Sequence, residues 1–101
     1  MIHRSERHRV HAEVWPEIDV VADWYLERSP DAENAFLAEV EDAFSVIFDT
    51  PLRWPKYLYS TRRFLLHRFP FSVIYLSDPD VITIVAVAHN KRKPGYWKKR
   101  I

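Results

Sequence analysis

The sequence predicts an α+β fold, in which an N-terminal helical hairpin packs on one face of a small antiparallel β-sheet. In the first half of the chain, apolar residues recur at helical spacing. The second half contains three runs of β-branched and aromatic residues separated by proline-containing turns. A chain of 101 residues suits one domain, residues 1–101, with one core. The absence of cysteine excludes a disulfide scaffold and a thiolate metal site.

The N-terminal segment, residues 1–11, is polar and basic. We expect it to form a flexible or edge-strand arm, with a short strand near residues 9–12 at its end. The first helix is predicted over residues 14–28, where Pro16 fits the first turn because its missing N–H has no partner there. Its apolar stripe has helical spacing and consists of Ile18, Val21, Ala22 and Tyr25.

The motif Ser29-Pro30-Asp31 predicts the start of a second helix, which is expected to run to about residue 49. Ser29 is suited to cap the helix, Pro30 fits its first position, and Asp31 complements the helix dipole. Because so few residues join the two helices, they should form an antiparallel hairpin.

Three strands are predicted at residues 60–69, 71–76 and 81–88. Pro70 should bend the chain between the first two strands, and Asp78-Pro79-Asp80 should form the turn between the last two. Strands joined by such short connections form an antiparallel meander. Since the helices can cover only one face of this sheet, we expect either Arg62 or Arg63 to point to the other face.

The charges are divided unequally between the two halves of the chain. Residues 1–51 carry four basic and twelve acidic residues, a balance of −8, whereas residues 52–101 carry eleven basic and two acidic residues, a balance of +9. A basic half on a small fold is typical of a surface that binds a polyanion, with nucleic acid as the leading candidate. A protein partner with acidic segments is the alternative.

The last strand leads into a stretch of cations, a histidine and two aromatic residues at 89–100. We interpret Arg63, His89, Arg92 and Tyr96 as candidate catalytic residues. RNA carries its own nucleophile, the 2′-OH, so these side chains could cleave it without a metal. His89 would act as base or acid, Tyr96 would assist in proton transfer, and Arg63 and Arg92 would hold the phosphate.

Further cations and one aromatic residue are candidates for RNA contact: Lys56, Arg62, Lys91, Lys93, Trp97, Lys98 and Arg100. Trp97 could stack on a base, but docking of its ring on the sheet is the stronger expectation. For Arg63, the rival role is a salt bridge to the acidic hairpin.

No metal and no cofactor are expected. The single glycine excludes a phosphate-binding loop, and the basic half lacks a carboxylate cluster. The spacing of His3, His8 and His11 fits no tight metal site. No apolar run is long enough for a membrane span.

Several motifs between about residues 14 and 100 resemble the RelE/ParE superfamily of bacterial type II toxin–antitoxin toxins. The most specific is the spacing His-x-x-Arg-x-Pro-x-Tyr-Trp-x-x-Arg from His89 to Arg100. The others are Glu17-Ile18, Trp24-Tyr25, Phe36-Leu37, Ile47 with Pro51, Arg62-Arg63, Arg68-Phe69-Pro70-Phe71, Ile74-Tyr75 and Ala86-Val87-Ala88-His89.

The resemblance implies a cytoplasmic toxin that a cognate antitoxin neutralises, as a homodimer or a toxin–antitoxin hetero-oligomer. RelE-like members cut mRNA on the ribosome, whereas ParE-like members poison DNA gyrase. Arg63, Arg92 and Tyr96 match the RelE-like phosphate and acid–base positions, and His89 stands where some members have a catalytic histidine. We therefore expect growth arrest by ribosome-dependent mRNA cleavage. Gyrase inhibition is the first alternative and a non-toxic nucleic-acid-binding module is the second.

Overall fold

The computed structural model describes residues 7–101, so residues 1–6 of the predicted arm lie outside the described part of the chain. The helices are α1 (Val14–Leu26) and α2 (Pro30–Asp49). The strands are β1 (Arg7–Val10), β2 (Arg62–Leu65), β3 (Phe71–Ser77) and β4 (Val81–His89). Short 3-10 turns occupy Leu58–Ser60 and Lys98–Arg100. The structure thus has the predicted α+β fold.

The four strands form one sheet in the order β1-β4-β3-β2. The predicted meander is confirmed, because β2 pairs antiparallel with β3, and β3 pairs antiparallel with β4. The sheet is nevertheless mixed, since β1 adds to β4 in parallel, with Arg7 opposite Val81 and Val10 opposite Ile84. Parallel neighbours need a long crossover, which the intervening helices and strands supply.

The helical hairpin begins and turns as its local sequence predicts. Ser29 is in extended conformation and its Oγ accepts the Ala32 N–H at 3.3 Å, with Pro30 at the first helical position. Helix α1 ends at Leu26, two residues before the predicted end. A serine cap followed by proline thus breaks the chain sharply between the two helices.

The main core lies between the hairpin and one face of the sheet. Helix α2 contributes Phe36 and Ile47, both fully buried, while β4 contributes Ile82 and Ile84, which are also fully buried. Each helix alone exposes its apolar stripe, so this layer of contacts with the sheet is what removes the stripes from water.

A second, smaller core covers the opposite face of the sheet. The Trp97 side chain is only 1% exposed and packs with Ile74, Val85 and Ala86, flanked by Tyr57 and Tyr96. The C-terminal segment, which we define as residues 90–101, therefore lies on this face of the sheet, with Tyr57 of the preceding loop beside it. The prediction that the helices cover only one face of the sheet is confirmed, and so is the preferred expectation that the Trp97 ring docks on the sheet. The sequence did not show that this tryptophan builds a second core there.

Strand β2 is shorter than its predicted span of residues 60–69. Residues 62–65 alternate as expected, with Phe64 in the main core and Arg63 on the opposite face. After Leu66 the backbone leaves the sheet. The N–H groups of His67 and Arg68 are instead accepted by the Glu39 carboxylate of α2. This carboxylate replaces a strand partner and fixes the bend before β3.

Candidate functional site

The site begins at the free edge of β4, which is nine residues long, whereas β1 has only four. The last backbone bond from the β1 side is donated by the N–H of His11 to the carbonyl of Ile84, at 2.9 Å. Beyond it, the Val87 N–H donates to Oε1 of Glu17 at 3.0 Å, and the Val85 carbonyl accepts from Arg100 at 3.0 Å. Two side chains thus take the place of a strand along this edge.

Glu17 also fastens the C-terminal segment to α1. Its carboxylate accepts two N–H groups of the Arg100 guanidinium, each at 3.0 Å, and the hydroxyl of Tyr96 at 2.5 Å. Arg92 lies 3.8 Å from the same carboxylate. The Glu17 and Arg100 side chains are only 12% and 15% exposed, so this ion pair is largely removed from water.

Proton affinities at this cluster follow from the same contacts. Burial, then the hydrogen bond to Glu17 and its negative charge, raise the pKa of Tyr96 well above its ordinary value, although Arg92 and Arg100 oppose the shift. Burial alone would lower the pKa of Arg100, but the hydrogen bond and charge of Glu17 raise it overall. The Tyr96 hydroxyl is therefore poorly suited to proton transfer near neutral pH.

The structure brings the four candidate catalytic residues together. Arg63, His89, Arg92 and Tyr96 all line one small pocket, with a cavity volume of about 20 Å³. The Nδ1 atom of His89 accepts the Lys91 N–H at 3.0 Å, which leaves Nε2 as the ring nitrogen available to a ligand. The cavity has room for about one water molecule, so an inserted nucleobase does not fit it.

Three of the residues considered for RNA contact have structural roles instead. The Trp97 ring is buried, so it offers no face on which a base could stack. Arg62 donates to the carbonyls of Leu52 and Trp54, at 3.3 and 2.7 Å, and thereby fixes the loop before β2. Arg100 is paired with Glu17. The exposed members of the predicted set are Lys56, Lys91, Lys93 and Lys98.

Three cations of the site each lie over a tyrosine ring. Among the described residues, Arg63 forms no salt bridge with the acidic hairpin, which was its rival role, and its guanidinium lies over Tyr57 instead. A cation over an aromatic face is attracted by the electron density of the ring. The three pairs, with the distance from the cation to the ring centroid, are Arg63–Tyr57 at 4.4 Å, Lys98–Tyr59 at 4.8 Å and Arg92–Tyr96 at 3.5 Å.

Glu17 is the residue of this site to which sequence reasoning assigned no role. Its position offered one signal, since it is an acidic residue placed between Val14 and Ile18 on the side of α1 that becomes buried. A charged group at the margin of an apolar stripe usually has a partner when the helix packs. That partner, Arg100, lies 83 residues away, so local spacing carried no information about it.

Residues 7–101 offer neither a metal site nor a membrane-spanning helix. Within this range, no three carboxylate or imidazole groups cluster closely enough to hold a metal ion. His8 instead stacks on Phe48 with ring centroids 4.1 Å apart, and His3 lies outside the described residues. No helix in this range combines the length and apolar composition required to cross a membrane.

Fold and site together define a small α+β domain in which a carboxylate on the helical hairpin fastens a cationic C-terminal segment to the sheet. The sequence model of the family described as "ParE toxin of type II toxin-antitoxin system, parDE" matches residues 8–94. The chain therefore belongs to the ParE toxin family.

A solved structure supports the same fold. The chain is similar to one described as "Chromosomal ParDE TA system from P. aeruginosa", with a TM-score of 0.73 and 15% sequence identity. The similarity covers 83% of this chain and 95% of the other. At this identity the likeness shows a shared fold only. No curated protein sequence matches the chain.

Proposed function

We propose that this ParE-family toxin arrests growth by inhibiting DNA gyrase and does not cleave RNA. The observation that carries the proposal is the engagement of Tyr96, whose hydroxyl donates to Glu17 at 2.5 Å. Membership of the ParE family supports the same choice, since ParE-like members of the superfamily poison gyrase. The expectation from sequence that placed mRNA cleavage first is therefore reversed.

Metal-independent RNA cleavage requires a base, an acid and fixed positive charge at one phosphate. The Tyr96 hydroxyl donates to Glu17 and its raised pKa disfavours deprotonation, while Arg100 is paired with Glu17. Of the two predicted acid–base residues, His89 alone keeps a ring nitrogen available, in a cavity of about 20 Å³. A cavity of this size, with the predicted tyrosine engaged elsewhere, fits a binding surface better than an acid–base site.

We infer that a cognate antitoxin neutralises the toxin in the cytoplasm, where both partners would be made. The description of the family as half of a toxin–antitoxin system supports this partner. We expect the resting form to be a toxin–antitoxin hetero-oligomer.

Two reactions test the proposed target with the same purified toxin. In a gyrase assay, the toxin should block supercoiling of relaxed plasmid, and its expression in cells should induce the response to DNA damage. In a translation assay, ribosome-bound mRNA should remain intact. Cut mRNA together with normal supercoiling would show that the nuclease alternative is right.

Variants at the predicted catalytic residues test the same point in cells. Because neither side chain performs chemistry under this proposal, His89→Ala and Tyr96→Phe should both still arrest growth. Circular dichroism of each variant verifies that it is folded. If both variants are folded but harmless, the hypothesis that His89 and Tyr96 cleave RNA by acid–base catalysis is supported instead. Harmless overexpression of the wild-type chain, with salt-sensitive RNA binding, would instead favour a non-toxic nucleic-acid-binding module.

A further inference from the structure

We propose that Arg63, Arg92 and Lys98, each lying over a tyrosine ring, form an array that binds the carboxylates of an acidic protein segment on the toxin's target. We call these three residues the cation array. The inference extends the proposed function by assigning the chemistry of the surface that the target contacts. This inference rests on the proposed function in one respect, which is that the target is gyrase.

The three cations are each positioned by an aromatic ring. Arg63, Arg92 and Lys98 lie 4.4, 3.5 and 4.8 Å from the centroids of their tyrosine rings. A guanidinium that rests its flat face on a ring keeps its N–H edges free for a carboxylate. The Arg92 side chain is 54% exposed, and its carboxylate neighbour, Glu17, is already bound to Arg100.

The rings themselves are held by the core. Tyr57 and Tyr59 both contact the buried Trp97, with ring centroids 6.2 and 5.9 Å apart. Tyr96 is fixed by its hydrogen bond to Glu17. Because cations supported by fixed rings lose little freedom on binding, the array is preorganised for an anionic partner.

The backbone that carries Tyr59 is strained. Tyr59 and Ser60 have positive φ angles of 56° and 65°, which residues other than glycine adopt rarely. Opposite Tyr59, Gly95 has a φ of 82°, and a Cβ there would lie 2.9 Å from a ring carbon of Tyr59. The strained loop and the glycine together allow the Tyr59 ring to pack against the C-terminal segment.

An acidic protein segment fits this surface better than a nucleic acid does. The cavity between Arg63 and Arg92 is only about 20 Å³ and the Trp97 ring is buried, so a base finds no pocket there and cannot stack on this tryptophan. None of the described residues that line this cavity is acidic. Leu65, which pairs with the cavity-lining Ser72, is 51% exposed and offers an aliphatic contact, which suits a protein.

The test measures binding of a fluorescent oligoglutamate peptide by anisotropy, beside a single-stranded oligonucleotide of equal net charge. Replacing Tyr59 with Leu keeps the charge but removes the ring under Lys98, which should weaken peptide binding about threefold. The conservative Tyr59→Phe keeps the ring and should restore binding. Lys98→Met should weaken it about fivefold, whereas Lys99→Met should change it less than twofold.

Lys99 is a matched control because it is an exposed neighbour of Lys98 with the same charge. Equal binding by the Leu and Phe variants at Tyr59 would overturn the proposal, as would equal losses for the two lysine variants. Tighter binding of the oligonucleotide than of the peptide would assign the surface to nucleic acid instead.

The gyrase assay separates this inference from the proposed function. If the wild-type toxin leaves gyrase active but the peptide results follow the expected order, the array is supported and the gyrase target is wrong. If gyrase is inhibited equally by wild-type toxin and Lys98→Met, the proposed function stands and the array is wrong.

Discussion

Replacement of Glu17 by glutamine should loosen the C-terminal segment and destabilise the protein. The variant keeps the size of the side chain but removes the negative charge of the carboxylate. That carboxylate accepts two hydrogen bonds from Arg100 and one each from the Tyr96 hydroxyl and the Val87 N–H. Arg100 would then be a guanidinium only 15% exposed that has lost its hydrogen-bonded counter-ion.

The size of the effect follows from that burial. Removing one partner of a buried ion pair costs about 3–5 kcal/mol, and partial access to water reduces this to about 2–3 kcal/mol here. In a domain of this size, such a loss lowers the melting temperature by roughly 10–20 °C. Urea unfolding followed by tryptophan fluorescence measures the change, and hydrogen exchange at the Val87 amide reports the local release.

The matched control is Asp19→Asn, an equal loss of charge on the exposed side of the same helix. It should change the free energy of unfolding by less than about 0.5 kcal/mol. The reasoning is refuted if Glu17→Gln is as stable as Asp19→Asn, or if exchange at the Val87 amide is no faster than in the wild type.

Three further predictions concern the second core, the strained loop and alkaline pH. Trp97→Ala should lose about 3–5 kcal/mol of unfolding free energy, because the tryptophan ring is almost fully buried. A loss below about 1 kcal/mol in urea unfolding would show that the second core does not depend on this ring. Ser60→Gly should stabilise the protein by roughly 0.5–1 kcal/mol, because glycine adopts the positive φ at this position without strain. Ser45→Gly, within α2, should destabilise it by a similar amount. Changes of the same sign in the melting temperatures of the two variants would refute the argument. The raised pKa of Tyr96 means that its contribution to stability is present below about pH 10 and is lost as the pH rises through the pKa of the folded state. The fall in stability at alkaline pH should therefore be shallower in Tyr96→Phe, as measured by urea unfolding across that range, and an unchanged slope would count against the bond to Glu17.

Local sequence signals predicted the helical hairpin and the meander well. The Ser29-Pro30 start of α2 and its end at Asp49 follow from capping and helical spacing, which act within a few residues. The three antiparallel strands follow from apolar runs and proline turns. The strand β1 was predicted only as one of two forms of the arm. Its four residues are exposed or half-buried and show no apolar alternation.

The candidate site was predicted in part. Arg63, His89, Arg92 and Tyr96 do share one pocket, as the meander and the end of the last strand suggested. Their chemistry was less predictable, because it depends on which side chains engage them. Tyr96 binds Glu17, His89 accepts the Lys91 N–H, and Arg63 lies over Tyr57.

By itself, the sequence determined the α+β class, the hairpin, the antiparallel pairs and the concentration of positive charge in the second half. These properties depend on composition and on patterns between near neighbours. Only the tertiary structure decided that β1 lies parallel to β4, that Trp97 builds a second core, and that Glu17 binds Arg100 across 83 residues. Such contacts arise from packing between distant segments, and they determine whether a cluster of cations is available for acid–base chemistry or is held as a binding surface.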